Sequence, residues 1–201
     1  MTTPFKVFGV GLSRTGTTSL TRALSMLGFR CRHYPNPAKI LAGDLTVADR
    51  FDALTDIPAA AVFRELDARY PGARFVLTVR EPESWARSMR DHFEAMGPAM
   101  ETGPEGEMRR RVYGDVRFDE IRFLRAFEAH NAAVREHFAD RPGDLLIMNI
   151  PGGEGWDVLC PFLGVAAPME PFPVLNRKGE HPKVQKRADP YVRTWITGPG
   201  L

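Results

Sequence analysis

The chain is predicted to form an α/β domain in three layers, a central and mostly parallel sheet with helices on both faces. Three observations predict it. Short apolar runs alternate with segments whose apolar residues recur at helical spacing, the order produced when helices connect parallel strands. The run "RFVLTV" (74–79) is apolar at nearly every position, as a strand covered on both faces requires. A glycine-rich turn within "FGVGLSRTGTTSL" (8–20) separates the first apolar run from the first helix-period segment. With 201 residues, 43% of them apolar, the chain can bury one sizeable core, and no linker divides it, so 1–201 reads as a single domain.

Taken in order, "FKVFGVG" (5–11) is the first strand. Leu20, Ala23, Leu24 and Leu27 then mark a helix that Gly28 ends. "FRCRHY" (29–34) is a short second strand, 37–52 are short helical turns, and "ALTD" (53–56) runs to a third strand end. Val62, Phe63, Leu66 and Tyr70 give a helix closed by Pro71-Gly72 before the strand 74–79. Pro82 opens a helix to about Met96, at the position where a missing N–H costs nothing. Residues 97–118 are rich in Gly, Pro, Glu and Arg without clear periodicity and read as a long loop or lid-like insertion. Phe123, Phe127, Val134 and Phe138 place a long helix at about 119–139, followed by a strand in 144–150 and a short helix in 155–164. An extended, basic tail over about 165–201 completes the chain.

Composition narrows the functional classes. A net charge of +2 lacks the clustered basic footprint of a nucleic-acid binder, although 176–193 hold six Lys/Arg against two acids. The two cysteines, Cys31 and Cys160, have neither metal-ligand spacing nor a disulfide framework and read as reduced core residues. No apolar run approaches the roughly 18 residues of a membrane span, and no charged region precedes an apolar leader. A soluble, cytoplasmic protein is expected, with no membrane partner.

The turn carries the chemistry. Gly11 and Gly16 stand at the spacing of G-x-x-x-x-G-K-[ST], the phosphate loop, and Thr18 fills its hydroxyl position, but Thr17 replaces the lysine. Amides of the turn and helix start suit a tetrahedral anion, with hydroxyls from Thr15, Thr17, Thr18 and Ser19 and a fixed charge from Arg14. Without the lysine, and without an Asp ending either later strand, the loop lacks what grips a nucleoside triphosphate and its Mg²⁺. A smaller anion is expected, with no metal. A second anion element lies in "TVREPESWARS" (78–88). There Arg80 ends a buried strand, where open α/β sheets bind ligands, and Ser88 follows in the helix begun by Pro82.

These segments resemble the sulfotransferases that use 3′-phosphoadenosine 5′-phosphosulfate (PAPS), a family of P-loop-like fold, and are most like its small bacterial and fungal members. "GLSRTGTTSL" resembles the family's 5′-phosphosulfate loop, "VREPESWARS" its Arg-(x)7-Ser element for the 3′-phosphate, and "NIPGGEGWDVLCPFLGVAAPMEPFPVLNRKGE" its C-terminal region. The resemblance implies that Ser13, Arg14, Thr15, Gly16, Thr17, Thr18 and Ser19 hold the 5′-phosphosulfate and that Arg80 and Ser88 hold the 3′-phosphate. It also implies that Arg177, Lys178 and Gly179 cover the 3′-phosphate side. Many family members carry Lys where this chain has Arg14, and arginine is a far weaker acid, so Arg14 is expected to stabilise charge rather than donate a proton.

The family needs a base for the acceptor's hydroxyl proton. Asp56, at a strand end before a Pro-started helix, is the first choice, with a helix N-cap as its plain alternative. His33 is the rival, with packing as the alternative. The implied function is sulfuryl transfer from PAPS to a hydroxyl or amine of a small-molecule or carbohydrate acceptor. A P-loop nucleotide kinase or NTPase, and a non-catalytic nucleotide-binding protein of the same fold, stay open.

Overall fold

Parallel pairing throughout joins five strands in the order β2-β3-β1-β4-β5: β1 (Val7–Gly9), β2 (Cys31–His33), β3 (Ala53–Thr55), β4 (Arg74–Thr78) and β5 (Leu145–Met148). The structure, a computed structural model, describes residues 5–97 and 101–175. Helices α1 (Thr17–Met26), α2 (Pro37–Leu41), α3 (Val47–Arg50), α4 (Ile57–Ala60) and α5 (Phe63–Arg69) occupy the first half. Helices α6 (Pro82–Met96), α7 (Gly103–Tyr113), α8 (Glu120–His137) and α9 (Trp156–Leu163) follow.

The strands are covered on both sides because successive side chains point to opposite faces. Val7, Ala53, Val76 and Met148 pack with Leu20, Ala23 and Leu24 of α1 and with Leu159 and Leu163 of α9. Their neighbours Phe8, Leu54, Phe75 and Leu77 pack on the other face with Phe63, Trp85, Met108, Phe123, Phe127 and Val134 of α5–α8. The three-layer α/β architecture expected from the sequence is thus observed, with a sheet that is wholly parallel in its described strands.

One local reading is corrected. The loop expected over 97–118 holds α7 at its centre, and Met108, Arg109 and Tyr113 are buried there. Proline in the first helical turn and an αL glycine, Gly114, after the last are ordinary helix boundaries. The sparse apolar residues of this segment, set among Arg and Glu, hid its period.

Strand order also fixes where a ligand can sit. From β1 the chain goes first to β2 and β3 on one side, and only later to β4 and β5 on the other. The loops following β1 and β4 therefore part at the carboxyl ends of adjacent strands, the crevice where such sheets bind ligands.

Candidate active site

The loop after β1 lies directly against the end of β4. A Cβ on Gly11 would stand 1.9 Å from Thr78 Oγ1 and 2.5 Å from the Thr78 carbonyl oxygen, so only glycine fits. Arg14 (φ 70°) and Gly16 (φ 105°) both take positive φ as the chain turns into α1. No side chain caps α1, and its first bond is Leu20 N–H to Gly16 O. The amides of Thr17, Thr18 and Ser19 therefore have no helical acceptor, which makes this helix start an anion cradle.

Thr15 does not contribute as expected. Its hydroxyl donates to Leu12 O at 2.6 Å and meets Thr78 Oγ1 at 2.6 Å, and the residue is fully buried. It is an internal strut for the loop. Ser19 Oγ accepts from Leu175 N–H at 2.9 Å, which ties the last described segment to the first turn of α1.

The two candidate anion elements are hydrogen-bonded to each other. Arg80, just beyond β4, donates from Nη1 to Arg14 O at 3.2 Å and from Nε to Ser84 Oγ at 3.0 Å. Arg14 Nε in turn donates to Ser88 Oγ at 3.1 Å. Burial and then the nearby Arg14 charge both push the Arg80 guanidinium below its usual pKa. Both remain charged.

Across the loop lies the base region. Asp56 takes φ 80° and ψ 177° as N-cap of α4. Its Oδ1 accepts from Ser13 Oγ at 2.6 Å and from Ile57 N–H at 2.8 Å, while Oδ2 is 3.2 Å from His33 Nε2. The two rivals for the base are thus partners. Burial pushes the His33 pKa down, Asp56 opposes that, and Arg32 adds to it.

Four neighbours were not anticipated: Ser84, His92, Tyr34 and Tyr113. Ser84, Ser88 and His92 follow at four-residue spacing along one stripe of α6. Burial, then Arg14 and Arg109, push the His92 pKa down to about 4 against the pull of Asp56. The spacing from Ser88 was the available signal. Tyr34, beside His33, has a buried hydroxyl with no partner among the described residues, and burial and then Asp56 push its pKa up. The Tyr113 hydroxyl lies beside Ser13 but makes no hydrogen bond of normal geometry.

The structure thus gathers Ser13, Arg14, Gly16, Thr17, Thr18, His33, Asp56, Arg80 and Ser88 around one loop. Arg177, Lys178 and Gly179 lie outside the described residues. Among the described residues no helix is long and apolar enough to cross a membrane.

Known proteins resemble this chain in fold and in sequence. A crystal structure of a sulfotransferase from Alicyclobacillus acidocaldarius shares the fold, with a TM-score of 0.56 at 18% identity over 85% of each chain. The "Ava biosynthesis cluster protein M" of Aspergillus versicolor is 27% identical over an alignment of 215 positions, covering 84% of this chain and 79% of its own. The family model described as a sulfotransferase domain matches residues 6–181, most of the chain's length. The chain belongs to the sulfotransferase-domain family.

Proposed function

We propose that this protein transfers a sulfuryl group from PAPS to a hydroxyl, or an amine, of a small-molecule or carbohydrate acceptor. One observation carries the reading: Arg14, in the lysine-free loop that leads into α1, is hydrogen-bonded to both Arg80 and Ser88, so the two elements adjoin. PAPS has two separate phosphates, one bearing the sulfuryl group, and this site offers two adjoining anion positions. The amides of 17–19 and the Thr17 and Thr18 hydroxyls hold the 5′-phosphosulfate; Arg80 and Ser88 hold the 3′-phosphate. The Leu175–Ser19 bond ties the last described segment to that cradle.

Each residue's part follows from its position. Arg14 stands between the two anion positions and stabilises charge on both, so its loss affects nucleotide affinity as well as turnover. Asp56 and His33 receive the proton of the acceptor hydroxyl. The segment 97–118, with Arg109 and Tyr113 buried inward, recognises the acceptor. A fungal relative named for a biosynthesis cluster fits a small-molecule acceptor.

A thermal-shift comparison of 3′,5′-adenosine diphosphate, ADP and ATP, each with and without Mg²⁺, tests the reading. The bisphosphate is expected to stabilise the protein without metal, by about 2.7 kcal/mol at 100 times its Kd. Stabilisation by ATP alone, and only with Mg²⁺, would instead support a kinase or NTPase.

A further inference from the structure

His33 is held from behind by two threonines. Its Nδ1 lies 3.0 Å from Thr55 Oγ1 and 3.2 Å from Thr21 Oγ1. Those hydroxyls are 2.6 Å apart, and Thr21 Oγ1 is 2.8 Å from the Thr17 carbonyl oxygen. Each hydroxyl has one proton, and a carbonyl only accepts. Thr21 therefore donates to Thr17 O, and the short contact between the threonines takes the proton of Thr55. No proton is left for Nδ1, so Nδ1 carries its own and donates it to the hydroxyl oxygens.

A neutral His33 then has its lone pair on Nε2. That atom faces Asp56 Oδ2 at 3.2 Å, while Thr18 Oγ1 stands farther off at 3.5 Å. Oδ1 of Asp56 is already engaged by Ser13 and Ile57. Two acceptors, Nε2 and Oδ2, converge on one point where a proton can be received.

We propose that Thr21 and Thr55 are positioning residues that fix His33 as the Nδ1–H tautomer, so that Nε2 and Asp56 Oδ2 act as one receptor for the acceptor's proton. The proton-transfer step rests on the sulfuryl-transfer reading; the tautomer does not. In that step the acceptor O–H bond breaks and its proton goes to Nε2, while the acceptor oxygen forms a bond to sulfur. The bond from sulfur to the bridging oxygen breaks, and its electron pair leaves with 3′,5′-adenosine diphosphate. The new imidazolium donates Nε2–H to Asp56 Oδ2. The charged groups acting on the ring are Asp56, which favours the imidazolium, and Arg32, which opposes it. Burial, with Arg32, pushes the ring's pKa down against Asp56, which favours the neutral resting form that a base needs.

Heteronuclear NMR of the imidazole nitrogens at neutral pH reads the tautomer in the free protein. Wild type is expected as Nδ1–H. Thr21→Val removes the acceptor for Thr55's proton, which then turns to Nδ1 and flips His33 to Nε2–H. Thr21→Ser keeps the wild-type form. Thr55→Val also keeps Nδ1–H, now donating to Thr21 Oγ1. With an acceptor in hand, Thr21→Val should lose about 10²-fold in turnover with unchanged affinity for 3′,5′-adenosine diphosphate, and Thr21→Ser should restore it. An Nε2–H wild type, or a Thr21→Val protein with an unchanged tautomer, would overturn the proposal. If Thr21→Val does not fold, the wild-type spectrum alone decides. Failure of the sulfuryl-transfer reading has a different signature: the tautomer pattern stands, but the bisphosphate does not stabilise the protein.

Discussion

Asp56 adopts a backbone conformation, φ 80° with ψ 177°, that is nearly reserved for glycine. Such a residue costs of order 1–3 kcal/mol, and here its carboxylate is the reason to keep it. Asp56→Gly relieves the strain, and glycine is a tolerable N-cap. The variant is expected to be at least as stable as the parent in urea while losing turnover by about 10² or more. A variant that is markedly less stable would show the carboxylate to be chiefly structural. The pairing of Asp56 with His33 was not legible in the sequence, where the two look like rivals 23 positions apart. Register makes them partners: His33 pairs with Thr55 across β2 and β3, which sets the next residue beside the ring. His92 gives a second residue-scale expectation. Its folded pKa, about 4, lies below the ordinary histidine value, so the unfolded chain binds the extra proton first as pH falls. The neutral side chain thus supports the fold fully above pH ~6.5, and that support is lost on descending toward ~4, by roughly 3 kcal/mol. His92→Gln should flatten this part of the stability-against-pH curve, measured by urea unfolding.

At the scale of elements, the loop after β1 and the helix α6 act together. Their outlines were readable because glycine, proline and apolar spacing report local geometry directly: Gly28 ends α1 with φ 89°, and Pro82 begins α6 as expected. What the sequence did not reveal was that the loop rests on β4 so closely that Gly11 admits no Cβ. Gly11→Ala should therefore push the loop off Thr78, abolish stabilisation by 3′,5′-adenosine diphosphate and lower the melting temperature. Retention of binding would mean that the loop tolerates displacement. Arg80 tests the other half of the site. Losing a charge-assisted bond to phosphate costs roughly 1.5–3 kcal/mol, so Arg80→Ala should weaken the 3′-phosphorylated nucleotide about 10- to 150-fold by calorimetry and spare 5′-AMP. Equal losses for both nucleotides would mark Arg80 as structural. The helix α7 shows the limit of local reading. Its charged composition gives a weak period, and only burial of Met108 in the core and of Tyr113 against Trp85 and Phe93 of α6 and Phe123 of α8 makes the helix worth forming.

For the whole molecule, alternating apolar strands and amphipathic helices announced the three layers, because a parallel sheet must be covered on both faces. Strand order was not announced, and strand order is what sets the loop after β1 beside the end of β4. The aromatic layer under that junction reaches the site itself. Trp85 is fully buried, its indole stacked on Phe127 with ring centroids 4.4 Å apart, and its N–H donates to the carbonyl of Ser13 in the loop at 2.9 Å. Trp156, by contrast, donates its indole N–H to Glu170 O. An indole in an apolar layer emits at short wavelength, and its emission responds to whatever its N–H touches. The molecule thus carries an optical gauge wired to its own anion loop: nucleotide that shifts Ser13 changes the light from Trp85. In a Trp195→Phe background, a fluorescence titration with 3′,5′-adenosine diphosphate should show that change both with Trp156 present and in Trp156→Phe, and not in Trp85→Phe.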